Sequence, residues 1–170
     1  MKVLRRLIVA LAVAGPAGLL VARAAPPASV PVTVSFSPQF EERLRSDYGI
    51  KEGEVLRGMI TDAIASALAG TGDKGASVEV VLESAKPTHP TRLQLDREPG
   101  LDFLRSISPG GAELTGTLRG ADGRSLGRVS FSYFASTLQL ASRAGDAWAD
   151  ARLSIQRFAA QVAAKLKAAG

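Results

Sequence analysis

The chain has no cysteine and a single histidine among its 170 residues, and these two scarcities exclude a good deal of chemistry. Without cysteine there is no disulfide framework, and no residue to carry the lipid that bacterial lipoprotein signals place at their cleavage point. Structural zinc sites draw several ligands from Cys and His, so a lone imidazole excludes one; no metal site and no cofactor are expected. The same count weighs against nucleophilic catalysis. A Ser-His-Asp triad has only His89 to recruit, from the proline-rich run Lys86-Pro87-Thr88-His89-Pro90. His89 itself reads as a solvent-exposed loop residue. Ser-Lys arrangements drawing on Ser142, Ser154, Lys74 and Lys86 stay open, but no spacing recommends them. Aromatics are sparse too, with six Phe, two Tyr and one Trp, and they do not interleave with Lys and Arg as a base-stacking surface requires.

Excess charge is also scarcer than it looks. The 21 Lys and Arg against 16 Asp and Glu give +5, which taken alone suggests an acidic partner such as nucleic acid. The N-terminus alters that count. Met1 to Arg6 is short and basic, Leu7 to Ala22 is apolar, and Ala22-Arg23-Ala24 has the small-x-small pattern of a signal-peptidase site. The expected organisation is a signal peptide at 1–24 cut after Ala24, an extended leader at 25–29, and one domain at 30–170. A retained anchor is the rival, but the apolar run is short of the ~20 residues of a spanning helix. The pair Arg5-Arg6 lacks the other features of a twin-arginine signal. Lys2, Arg5, Arg6 and Arg23 leave with the leader, which brings the mature chain to about +1 and removes the concentrated cationic footprint that nucleic-acid binding needs. The expected location is periplasmic or secreted.

What the chain does have is a hairpin. In Ala112 to Phe134, Leu114, Gly116 and Leu118 share one parity of the first arm, and Val129, Phe131 and Tyr133 share one parity of the second. Ala121-Asp122-Gly123 forms the turn between them. Leu126 has the wrong parity, which predicts a bulge near Gly127. The run Gly111 to Thr117 imitates a phosphate loop, but it lacks the lysine and enters a strand where a phosphate loop must enter a helix. Gly116 is better read as a point of close backbone approach.

The rest of the chain supplies the partners. Val30 to Phe36 alternates as a strand, and Ser37-Pro38 caps a helix carrying Phe40, Leu44 and Tyr48. A second helix from about Glu52 presents Leu56, Met59, Ile60, Ile64 and Leu68, with Gly70 as its C-cap. Ser77 to Glu83 is a strand with Val78, Val80 and Leu82 on one side. After it comes an irregular stretch, Ser84 to Gly111, punctuated by Pro87, Pro90, Pro99 and Pro109. Within it Thr91 to Leu95 reads as a short strand and Leu101 to Ile107 as a helical turn presenting Leu101, Leu104 and Ile107. Asp146 then caps a long helix with Trp148, Ala151, Ile155, Phe158, Val162 and Leu166 on its buried stripe, and Trp148 is read as a core plug.

The order strand, helix, helix, strand, loop, strand, strand, helix implies an α+β two-layer sandwich: a mixed sheet of about four strands with the helices mainly on one face. That order, with the helix entry Trp148-Ala149-Asp150-Ala151, resembles small proteobacterial envelope domains such as the N-terminal domain of the Tol-system propeller protein and several lipoprotein families. The missing lipid-bearing cysteine departs from the lipoprotein members, and no functional residue carries over. Long irregular stretches on compact scaffolds are where recognition concentrates, so His89, Arg92, Asp96, Asp102 and Phe103 are the candidate ligand- or partner-binding residues. The resulting expectation is a non-enzymatic binding or envelope-assembly module with an envelope protein as partner. Two alternatives are a small hydrolase using Asp96, Asp102 or a hairpin serine, and a domain holding an apolar ligand behind Trp148 and Phe131.

Overall fold

The computed structural model describes residues 30–69, 75–138, 141 and 145–169. The expected leader with its cleavage point, and the expected C-cap Gly70, lie outside these residues. The described chain is a two-layer α+β sandwich whose single sheet has the order β1-β2-β3-β4, formed by β1 (Val32–Phe36), β2 (Ser77–Lys86), β3 (Gly111–Arg119) and β4 (Ser125–Phe134). β1 runs parallel to β2, and the other two pairings are antiparallel, so the sheet is mixed.

Alternation sets the layers. Val34, Val78, Val80, Leu82, Leu114, Leu118 and Val129 are buried on one face against Leu56, Ile60 and Ile64 of α2 (Ile50–Leu68) and Ile155, Phe158, Val162 and Leu166 of α4 (Ala149–Ala169). The opposite face shows Thr33, Glu79, Glu113, Ser130 and Ser132 to solvent. Gly116 faces Phe158, and a Cβ there would lie 2.8 Å from the ring's Cζ, so the helix seats on the sheet only because that position has no side chain.

Two bulges adjust the strands. Pairing skips Glu83, and the extra residue returns the buried Ala85 to the inner face. Ser37 holds that spot while capping α1 (Pro38–Arg43): its Oγ accepts from Phe40 N at 3.2 Å and donates to the Glu83 carbonyl at 2.7 Å. The second bulge leaves Leu126 unpaired between Gly127 and Ser125, as its parity predicts, with Gly127 at φ +128°.

The first helix does not stop at Gly49 by simple capping. Leu44–Tyr48 winds as a π-helical turn, closed by Gly49 N on the Leu44 carbonyl at 2.8 Å. This wider turn keeps Phe40, Leu44 and Tyr48 all buried and sets Tyr48 edge-on to Trp148, 5.5 Å between ring centres. Trp148 is 1% exposed, and its indole N–H donates to Glu52 Oε2 at 2.6 Å. The core-plug reading of Trp148 holds, with a polar tether that its position in the stripe does not reveal.

Candidate functional site

The stretch after β2 is more ordered than its prolines suggest. Pro87, Thr88, His89 and Pro90 are all buried, and the start of α4 holds them. Thr88 N donates to the Ala147 carbonyl at 2.7 Å, and Asp150 N donates to Thr88 Oγ1 at 3.1 Å. Asp150, fully buried, in turn accepts from Gly110 N at 3.0 Å. Ser108 closes the segment with its N on the Thr88 carbonyl and its Oγ on the Pro87 carbonyl, at 2.9 and 3.0 Å. Both ends of the irregular stretch are therefore fastened to one place on the scaffold.

Three expectations for this stretch are corrected. His89 is not solvent-exposed: it is 3% exposed, its ring stacks on Phe103 at 5.2 Å, and its Nδ1 lies 2.8 Å from the Phe103 carbonyl. Thr91–Leu95 is not a strand, because Arg92–Arg97 forms a short helix, α3. Thr91 Oγ1 accepts from Gln94 N, and Gln94 Oε1 accepts from Thr91 N at 2.9 Å. That reciprocal capping box outweighs the alternation of Leu93 and Leu95. Residues 101–107 do not present three apolar side chains together. Asp102 Oδ1 accepts from Leu104 N and Arg105 N, both at 2.9 Å, in a tight Asx turn that leaves Leu104 70% exposed while Leu101 and Ile107 are half-buried.

Between this segment and the π-helical turn lies a cleft of 520 Å³. Tyr48, Pro87, His89, Pro90, Leu101 and Ile107 line its walls, and Arg43, Asp47, Lys86, Arg97 and Glu98 bring charge to it. Arg43 pairs with Asp47 at 3.4 Å and lies 5.1 Å from the Tyr48 ring centre. Burial pushes the Tyr48 phenol above its ordinary 10.0, with Arg43 pulling the other way and Asp47 adding to the rise. Arg97 donates to the Ser46 carbonyl, which ties α3 to the π-helical turn.

The five sequence candidates separate. His89 lines the cleft, with Phe103 stacked on it. Arg92 and Asp96 form an exposed i,i+4 pair at 3.0 Å and line a second hollow of 330 Å³ with Arg45, Ile50 and Lys51. Asp102 organises its own turn at the surface. Tyr48, Lys86 and Arg97 join the cleft although no sequence pattern marks them as site residues. Their link is tertiary, since Tyr48 precedes His89 by a helix and a strand. Thr88 and Asp150 are likewise unmarked as fasteners. The available signal for Asp150 is its spacing from Ser154 and Phe158, which places an acid on the flank of a buried stripe.

Among the described residues His89 makes no hydrogen bond to a carboxylate or a hydroxyl, Asp96 is committed to Arg92, and Asp102 to backbone amides. Ser130 and Ser132 lie exposed on the outer sheet face. Among the described residues no cluster of three or more His, Asp or Glu is placed to hold a metal ion, and no helix is long and apolar enough to cross a membrane. No family model matches the sequence, and no curated protein matches it either. A crystal structure of a minor lipoprotein from Acinetobacter baumannii overlaps 82% of this chain and 94% of its own length, at 9% identity and a TM-score of 0.34. Similarity at that level transfers neither a family nor a function.

Proposed function

We propose that this protein is a non-catalytic binding module of the cell envelope, and that its partner docks in the cleft between the Ser84–Gly111 segment and the π-helical turn. One observation carries the reading: an irregular, proline-punctuated stretch is fastened at both ends to the start of α4, and with the π-helical turn it lines a cleft of 520 Å³. Rigid support at the base and exposed residues at the rim are the arrangement of a recognition loop. The envelope location rests on the leader-like N-terminus.

Site-specific photocrosslinking in intact cells tests this. A benzophenone side chain at Glu98, on the cleft, is expected to capture a discrete envelope partner, and the same group at Asp122, in the hairpin turn, is expected not to. Crosslinks of equal yield from both positions, or none from Glu98, would refute the docking site.

A further inference from the structure

We infer that the cleft recognises an acidic polypeptide segment that donates one hydrogen bond to Nε2 of His89, with Phe103 as the cover it displaces; this deepens the binding-module reading and rests on it. The Phe103 carbonyl can only accept, so the 2.8 Å contact places the proton of a neutral His89 on Nδ1. Nε2 is then a lone-pair acceptor. It is buried and has no hydrogen-bond partner among the described residues. An unmade bond at a buried polar atom costs about 1–3 kcal/mol, and such groups in a native fold call for a water, an ion or a ligand.

The surroundings narrow the donor. Lys86 and Arg97 line the cleft, and neither has a carboxylate partner among the described residues, while Arg43 is neutralised by Asp47. Of the described acids on the cleft, Glu98 is left to oppose these two cations. A cationic donor is therefore disfavoured, and a neutral amide or hydroxyl beside a carboxylate is favoured. Pro87, Pro90, Leu101 and Ile107 add apolar wall. Apolar contact, a neutral donor and a carboxylate in one ligand is the chemistry of a polypeptide.

Access follows from the turn that carries Phe103. Apart from the Phe103 carbonyl on His89 Nδ1, its bonds are internal: Leu104 N and Arg105 N to Asp102 Oδ1, Ser106 N to the Asp102 carbonyl at 2.8 Å, and Asp102 N to Ser106 Oγ at 3.0 Å. The Phe103 ring can turn about its Cα–Cβ bond off the face of His89 while its carbonyl stays on Nδ1.

The experiment selects a random-peptide phage library on the protein and follows the winners by ¹⁵N NMR of the only histidine. Enriched peptides are expected to place Asp or Glu beside Asn, Gln, Ser or Thr, and to move the Nε2 resonance toward that of an accepted hydrogen bond while Nδ1 keeps its proton. His89→Phe and Lys86→Glu should each weaken the selected peptides about 2- to 10-fold, the size of one hydrogen bond or one partly exposed charge contact. Because His89→Phe alone can disturb the fold, the wild-type resonance is the deciding readout. Peptides that bind without moving Nε2, or an Nε2 already hydrogen-bonded to resident water and unchanged by peptide, overturn the role of His89. Crosslinks from Glu98 in cells with no acidic peptide enriched overturn the ligand class and leave the binding module standing.

Discussion

Replacing Gly116 with alanine tests how the two layers meet. The new methyl would lie 2.8 Å from Phe158 Cζ, well inside the ordinary 3.5–4.0 Å carbon contact. Phe158 is fully buried against the sheet, so its ring has no free space to enter, and either α4 lifts or the ring leaves its rotamer. Overpacking of that kind costs about 1–3 kcal/mol, or a fall in Tm of roughly 3–12 °C at about 3–4 °C per kcal/mol for a domain near this size. Urea unfolding followed by circular dichroism gives the loss directly, and a mutant cycle identifies the contact. Phe158→Leu alone opens space and costs on the order of 1–3 kcal/mol. In the double variant the smaller side chain accepts the methyl, so the combined loss should fall short of the sum by about 1 kcal/mol or more. A neutral Gly116→Ala, or strict additivity of the two changes, would refute the claim that glycine is required by the approach of Phe158.

Three further changes probe the neighbourhood of the cleft. Trp148→Phe keeps the edge-on packing against Tyr48 but removes the donor to Glu52, leaving a half-buried carboxylate without it; a loss of about 1.5–3 kcal/mol by urea denaturation is expected, and Trp148→Phe in a Glu52→Leu background should lose distinctly less. In a Tyr133→Phe background the remaining phenol, Tyr48, should ionise above 10.0, followed by tyrosinate absorbance. Because its folded value is raised, Tyr48 contributes stability that is fully present below pH 10 and is lost as pH climbs from there through the raised value; unfolding midpoints that rise over that interval in the same background would contradict the assignment. Thr91→Ala removes one half of the capping box and should cost α3 about 1 kcal/mol, seen as roughly 5-fold faster amide exchange at the amides of α3, with little change in α2 or α4.

The hairpin, the helix stripes and the two-layer class were legible because they depend on short-range periodicity. Leu114 and Leu118 against Val129 and Phe131 repeat every two residues, and Ile155, Phe158, Val162 and Leu166 repeat every three to four. Even the bulge at Gly127 could be read, since a leucine of wrong parity fits its strand only if one extra residue is inserted beside it. The cleft was only half legible. The sequence picked out the segment, where His89 lines the cleft and Phe103 stacks on its ring, but assigned His89 to solvent. Polar residues beside prolines usually lie outside, and nothing local says that Thr88 and His89 tuck beneath the start of α4.

The sequence by itself determined the four strands of the sheet and the helices α1, α2 and α4, with the apolar face of each, because those are properties of neighbours along the chain. It also limited the chemistry, since one histidine and no cysteine leave no thiol and no pair of imidazoles. Tertiary structure alone decided that Tyr48, Lys86, His89 and Arg97 share a cleft, and that Asp150 fastens Gly110. It also decided that one nitrogen of the only histidine is buried without a partner among the described residues. Those relations join residues tens of positions apart through α4 and the end of β2, and no periodicity records a contact between segments that meet only when the sheet and its helices have closed.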